Sequence, residues 1–192
     1  MKWIVLAIFL AVVPYTIVTL RYRKPGPAFQ PYEDMKNRAN VSRLLSAGYQ
    51  RVPLPARQPA DETRTPSGAV VSPAPGGVPS ELRSTLVESP LLPAEILQVS
   101  AASNANTLQD YPLQFTCSLP NDQQQLAGAD LYLRGYGAVL VPTFERVPGE
   151  LLTRSRQALV HVTIPAGTIR PGKYQVTILG EKTSRSWTLE VR

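Results

Sequence analysis

One cysteine, Cys117, and one histidine, His161, stand in a chain of 192 residues. A lone cysteine excludes an intrachain disulfide and leaves the redox compartment unreadable. Cys117 falls on the apolar side of an alternating stretch, where a buried small hydrophobe is expected rather than a reactive thiol. With so few soft ligands a transition-metal centre is not expected. A serine–histidine–aspartate arrangement would have to use His161, and no nucleophile-elbow sequence is present. His161 lies opposite Val160 and Val162 and reads as a surface-strand residue. The acids Asp122, Asp130, Glu145, Glu150, Glu181 and Glu190 show no paired spacing for glycoside hydrolysis or a calcium loop. Gly128, Gly135 and Gly137 lack the lysine and the strand-to-helix setting of a phosphate loop. These absences point away from an enzyme, and no cofactor is expected.

Charge is missing from residues 3–20, WIVLAIFLAVVPYTIVTL. As a helix this run measures roughly 27 Å, near the ~30 Å hydrocarbon thickness of a bilayer. Lys2 could open a secretory signal, but no Ala-x-Ala follows the run, and no nearby cysteine offers a lipid attachment point. An uncleaved membrane anchor is expected, ahead of a cleaved peptide or a buried helix. Pro14 removes one backbone donor, which membrane helices tolerate. Trp3, Tyr22, Arg21, Arg23 and Lys24 stand where residues of a membrane interface belong. The basic residues after the run argue for a cytoplasmic body. The two-residue head and the character of the distal domain argue for a periplasmic one, which is the expectation adopted, at a bacterial inner membrane crossed once.

Proline, by contrast, is abundant, and twelve of nineteen lie between residues 25 and 93. No continuous helix or central strand can run through that region. Charge is unevenly placed. Residues 1–60 hold nine Lys/Arg and two acids, Glu33 and Asp34, whereas residues 61–192 hold eleven Lys/Arg and twelve acids. A nucleic-acid binder would need its basic stripe on the folded domain, so no nucleic-acid partner is expected. The basic flank could attract anionic lipid, or only set topology.

Four regions follow. Residues 1–24 are the anchor and its basic flank. Residues 25–52 are a juxtamembrane segment with a short helix from about Glu33 to Ala47, stopped by Gly48. Residues 53–93 read as a Pro-rich linker, able to span roughly 35 Å as a flexible coil or ~125 Å as polyproline II; a short helix near residues 80–87 is allowed within it. Residues 94–192 read as mainly β. Leu113, Phe115, Cys117 and Leu119 share one face; so do Leu131 and Leu133; Ala158, Val160, Val162 and Ile164; Tyr174, Val176 and Ile178; and Trp187, Leu189 and Val191. With 96–101 and 138–144, about seven strands result, and period-two alternation predicts a half-buried antiparallel sheet. Seven short strands in about 100 residues is the size of an immunoglobulin-like sandwich.

The ending IPAGTIRPGKYQVTILG, followed by SRSWTLEV, resembles the last strands of immunoglobulin-like domains of bacterial membrane-anchored proteins, above all the extracytoplasmic domains of anti-sigma-factor-like proteins. The resemblance implies a β-sandwich. It does not carry over sigma-factor binding, because the zinc-binding head of those proteins has no counterpart in the two residues before the apolar run.

Candidate partner contacts are Phe29 and Tyr32 after the anchor, and an aromatic patch of Tyr132, Tyr136 and Phe144, set against their use as core or edge rings. The expected role is a non-catalytic accessory or structural subunit of a larger bacterial membrane complex, with the bilayer and other membrane subunits as partners. The alternative is a tethered extracytoplasmic sensor or ligand-binding module for glycan or peptide.

Overall fold

The computed structural model describes residues 2–22, 31–59, 67–121, 123–146 and 156–192. Two compact units divide the chain, Met1–Met35 and Lys36–Arg192.

The first unit holds helix α1 (Lys2–Tyr22), which is continuous through Pro14. Thr16 Oγ1 donates to the Val12 carbonyl at 2.8 Å. Leu10, Val12, Val13, Ile17 and Val18 are all exposed. Among the described residues no helix is long and apolar enough to cross a membrane. The expected membrane-spanning helix therefore gains no support from the structure. The side chains of residues 4–9, 11, 19 and 20 lie outside the description.

Helix α2 (Pro31–Ser46) starts on a proline, whose missing N–H costs nothing in a first turn. It ends where the sequence places its stop. The Gly48 N–H donates to the Leu45 carbonyl and the Tyr49 N–H to the Leu44 carbonyl, and Gly48 has φ +77°. This is a Schellman ending, and its usual apolar contact is present between Leu44 and Tyr49.

The strands that follow are β1 (Gln50–Leu54), β2 (Ala56–Arg57), β3 (Ser72–Pro75), β4 (Glu95–Ser100), β5 (Asn104–Ala105), β6 (Tyr111–Ser118), β7 (Gln124–Arg134), β8 (Gly137–Arg146), β9 (Gln157–Ile164), β10 (Gly172–Ile178) and β11 (Thr183–Val191); helix α3 (Ser80–Thr85) lies between β3 and β4. The chain is thus mainly β, with all seven expected strands present as β4 and β6 through β11. The sheet runs β1-β7-β8-β10-β11-β4-β6-β9-β2, with β3 and β5 also paired to β11. Only Pro55 separates β1 from β2, so one short segment stitches both ends of the path, β1 to β7 and β2 to β9. The result is barrel-like. The seam between β11 and β4 is thinner, a single pair at Thr183 and Glu95. There Arg185 takes over, donating from Nε to the Ile96 carbonyl and from Nη2 to the Leu97 carbonyl, both at 3.1 Å.

The fully antiparallel sheet expected from alternation is corrected in one respect: β8 runs parallel to β10, and β4 and β5 run parallel to β11. Period-two patterning marks which face is buried and is blind to strand direction.

The main core fills the inside of the sheet with Ile96, Leu113, Phe115, Cys117, Leu131, Leu140, Val160, Val162, Val176, Ile178, Trp187 and Leu189. Burial pushes the Cys117 thiol up to about 12. It pushes the Tyr111 phenol to about 12 as well, and that hydroxyl donates to the Ala102 carbonyl at 2.7 Å. A second cluster lies on the opposite face of β7 and β8, where Tyr132 and Val141 meet Leu44 and Tyr49, Val78 and Leu82, and Leu179. The half-buried sheet expected from sequence is therefore buried on both faces here.

The second cluster also corrects the domain boundaries. Residues 25–52 and 53–93 read as a juxtamembrane segment and a linker, yet Leu44, Leu54, Val78 and Leu82 are buried. Strand β3, SPAP, lies along β11 from Ser72 opposite Ser186 to Pro75 opposite Thr183. Pro73 and Pro75 carry no N–H, so any donor that β3 offers β11 comes from Ser72 or Ala74, and the prolines leave the border poor in donors. Proline is tolerated at a sheet border for this reason, and it discourages further strand addition. Gly76 follows because the backbone of the β10–β11 turn lies against it: an added Cβ would sit 2.3 Å from the Lys182 carbonyl carbon. The Gly77 N–H then donates to the Gly180 carbonyl at 2.8 Å. Composition marked this stretch as a linker because its few apolar residues are widely spaced, but two of them suffice to dock it.

Candidate functional site

Helix α2 and strand β1 enclose an apolar groove of about 360 Å³, lined by Val41, Leu44 and Leu45 with Tyr49, Gln50, Arg51 and Pro53. The spacing 41, 44, 45 puts the three aliphatic residues on one helical face. Leu44 is buried in the second cluster, whereas Val41 and Leu45 flank it and remain exposed. The far wall is stapled in place. Arg51 donates to both carboxylate oxygens of Asp130 at 3.0 and 2.9 Å, and Asp130 is buried on β7. The pairing holds the Arg51 guanidinium above its ordinary value. Tyr132, beside this pair, is pushed up to about 12 by burial and then by the Asp130 charge.

Gln50 also borders a second cavity, of about 400 Å³. Gly48 and Gln50 enter it from the end of α2, Leu133, Arg134 and Gly135 from the end of β7, Gly167, Thr168 and Arg170 from the β9–β10 connection, and Tyr174 from β10. Among the described residues no carboxylate and no histidine belong to this lining. The Arg134 guanidinium lies 5.1 Å from the centre of the Tyr49 ring and pairs with Glu81 of α3. Tyr174 carries Tyr136 edge-on, ring centres 5.7 Å apart. An apolar groove and a hydrogen-bond-donating cleft therefore meet at one residue. Such a surface suits recognition: it supplies apolar area, positive charge and donors.

The residues expected from sequence are dispersed. Of the aromatic patch, Tyr136 alone is exposed, at 68%; Tyr132 lies in the second cluster and Phe144 in the main core. This corrects the patch: successive strand residues face opposite sides, and here both sides are covered. Trp3 and Arg21 are exposed on α1, and Tyr22 belongs to α1 and Tyr32 to α2 with side chains outside the description. Arg23, Lys24 and Phe29 lie outside the described residues. Sequence reasoning missed the groove and the cleft. The 41, 44, 45 spacing was a usable signal for the groove. Nothing local marks Arg134 and Arg170 as neighbours. Among the described residues no three His, Cys, Asp or Glu side chains gather as metal ligands would.

Comparison of the chain with protein-family models, with characterised proteins and with solved structures finds no match.

Proposed function

We propose that this protein is a non-catalytic, membrane-anchored accessory subunit that holds partner proteins through α2 and the groove beside β1. The observation that carries the reading is the uncovered apolar surface of α1. Leu10, Val12, Val13, Ile17 and Val18 are each at least 42% exposed, and at 100° per residue they point in most directions around the helix. A helix apolar on all sides needs lipid or protein around it. The uncharged run of residues 3–20 favours lipid. Anionic headgroups near Arg21, Arg23 and Lys24 would add about 1 kcal/mol per charge. A periplasmic position for the β domain, at a bacterial inner membrane, belongs to the same proposal.

The likeness to immunoglobulin-like sandwiches is part of it too. The β6–β9 pairing, the β10–β11 hairpin and the parallel β5–β11 border support it. The parallel β8–β10 pair departs from the antiparallel sheets of that fold. A second reading, a ligand-binding module, is favoured by the 400 Å³ cleft. A long flexible tether is not: residues 72–85 are built into the sheet and its cover.

The test is purification of the tagged chain from membranes in mild detergent, with mass spectrometry. A partner at comparable abundance, lost on Val41→Asp or Leu45→Asp without loss of folding, is expected. Recovery of the chain alone, from either the membrane or the soluble fraction, would refute the subunit reading.

A further inference from the structure

The groove beside α2 has a shape and a charge that select its occupant. Tyr132 on β7 is buried in the second cluster, yet Arg51, directly across from it on β1, and Pro53 remain exposed. Cross-strand partners share a face, so the helical cover stops one strand short of the sheet border. A helix packed beside α2 at the usual distance of about 8–10 Å, roughly two strand spacings, would lie over β1 and meet Val41 and Leu45. We infer that the groove holds an amphipathic helix of a partner protein, one that carries acidic residues beside its apolar stripe. This inference rests on the subunit reading and names the chemistry of the partner.

The apolar part of the match is on α2. Val41 and Leu45 stand one turn apart on one helical face, exposed beside buried Leu44. Such a pair receives the i, i+3 and i+4 side chains of a facing helix. A strand fits less well. β1 ends the sheet path, but Pro53 and Pro55 carry no N–H, so that border is poor in donors. The charge is equally one-sided. Residues 35–54 carry Lys36, Arg38, Arg43 and Arg51 and no acid. Two of these are paired within the chain, Lys36 with Glu88 and Arg51 with Asp130. Arg38 is exposed and makes no side-chain hydrogen bond or ion pair with the described residues. It stands three positions before Val41 and seven before Leu45, on the same side of the helix. A carboxylate on the facing helix would complete this row. A second copy of the chain would bring another Arg38 instead, and like charges would meet.

The experiment is site-directed photo-crosslinking of the tagged full chain in cells of its native host. Val41 and Leu45 are each replaced in turn by p-benzoylphenylalanine, and the adducts are mapped by peptide mass spectrometry. Both positions are expected to mark one segment of a co-purifying partner, at residues three or four apart, with Asp or Glu within a turn of them. The same replacement at Leu108, exposed on the loop after β5, leaves that segment unmarked. Arg38→Glu lowers partner recovery about twofold to fivefold, the worth of an exposed ion pair, and the difference shrinks at high salt. Lys173→Glu, the same charge change on exposed β10 residue 173, leaves recovery as it was. Because Arg38 is exposed, the thermal unfolding midpoint of Arg38→Glu stays with the parent. If no partner co-purifies, the subunit reading falls and this inference falls with it. If a partner does co-purify, the inference alone is overturned by adducts on lipid, on a second copy, on residues two apart as a strand presents them, or by no adducts from either position. Equal recovery with Arg38→Glu and Lys173→Glu overturns it as well.

Discussion

Leu82 stands in a stretch whose composition reads as linker, yet its relative exposure is 0%. It packs from α3 into the cluster with Leu44, Tyr49, Val78, Tyr132, Val141 and Leu179. Leu82→Ala removes three carbon atoms from that contact. At about 0.8 kcal/mol per buried methylene, the transfer loss alone is about 2.4 kcal/mol. Incomplete collapse of the cavity adds to this, and core Leu→Ala changes span roughly 2–5 kcal/mol. A short surface helix can relax toward the gap, so the expected cost lies in the lower half of that range. The assay is urea unfolding of the full chain in non-ionic detergent, followed by fluorescence of Trp187, which is buried in the main core, on a Trp3→Phe background. With a urea dependence of roughly 2 kcal/mol per molar, the midpoint falls by about 1 M. Leu108→Ala is the control: that residue is 84% exposed, and such changes stay within about 0.5 kcal/mol. Equal midpoints for the two variants would refute the placement of residues 72–85 as part of the folded domain, and with it the two-faced burial of β7 and β8.

Three further outcomes are expected. Gly76→Ala destabilises by about 1–3 kcal/mol, the cost of overpacking, because its Cβ would meet the Lys182 backbone at 2.3 Å; a linker glycine would be neutral in the same urea titration. Arg51→Ala costs about 1–3 kcal/mol, since it strips the donors from the buried Asp130 carboxylate, and a double-mutant cycle with Asp130→Asn recovers part of that loss as coupling. Stability falls in alkali: Cys117, Tyr111 and Tyr132 sit at about 12 in the folded chain against ordinary values of 9.0, 10.0 and 10.0. A folded-state value raised in this way lends stability that is complete below the unfolded value and is lost as pH rises through the folded one. Urea midpoints at pH 7, 9 and 11 should therefore decline above about pH 9, and Cys117→Ala should remove the earliest part of the decline.

Much of the β domain was legible because its signal is local. Ala158, Val160, Val162 and Ile164 alternate with Leu159, His161 and Thr163, and all four are buried on β9. Trp187, Leu189 and Val191 do the same on β11. Gly48 was legible as a helix stop, since a left-handed ending favours glycine. Tyr132 was harder. Its alternation with Leu131 and Leu133 indicated an outward face, but outward from one core became inward to another once α2 and α3 covered β7. The same distance effect hid the cleft. Arg134 and Arg170 lie thirty-six positions apart and line one cavity only because β10 lies beside β8.

Residue order alone decided the uncharged leading helix, the period-two strands and the scarcity of catalytic and metal-ligating side chains, because each depends on neighbours a few positions apart. Folding in three dimensions decided that a proline-rich stretch becomes a sheet border, that β8 and β10 run the same way, and that two distant arginines share a cleft. Those outcomes depend on which surfaces meet, and a handful of buried contacts such as Leu44 and Leu82 against Tyr132 outweighs the composition of the segments that supply them.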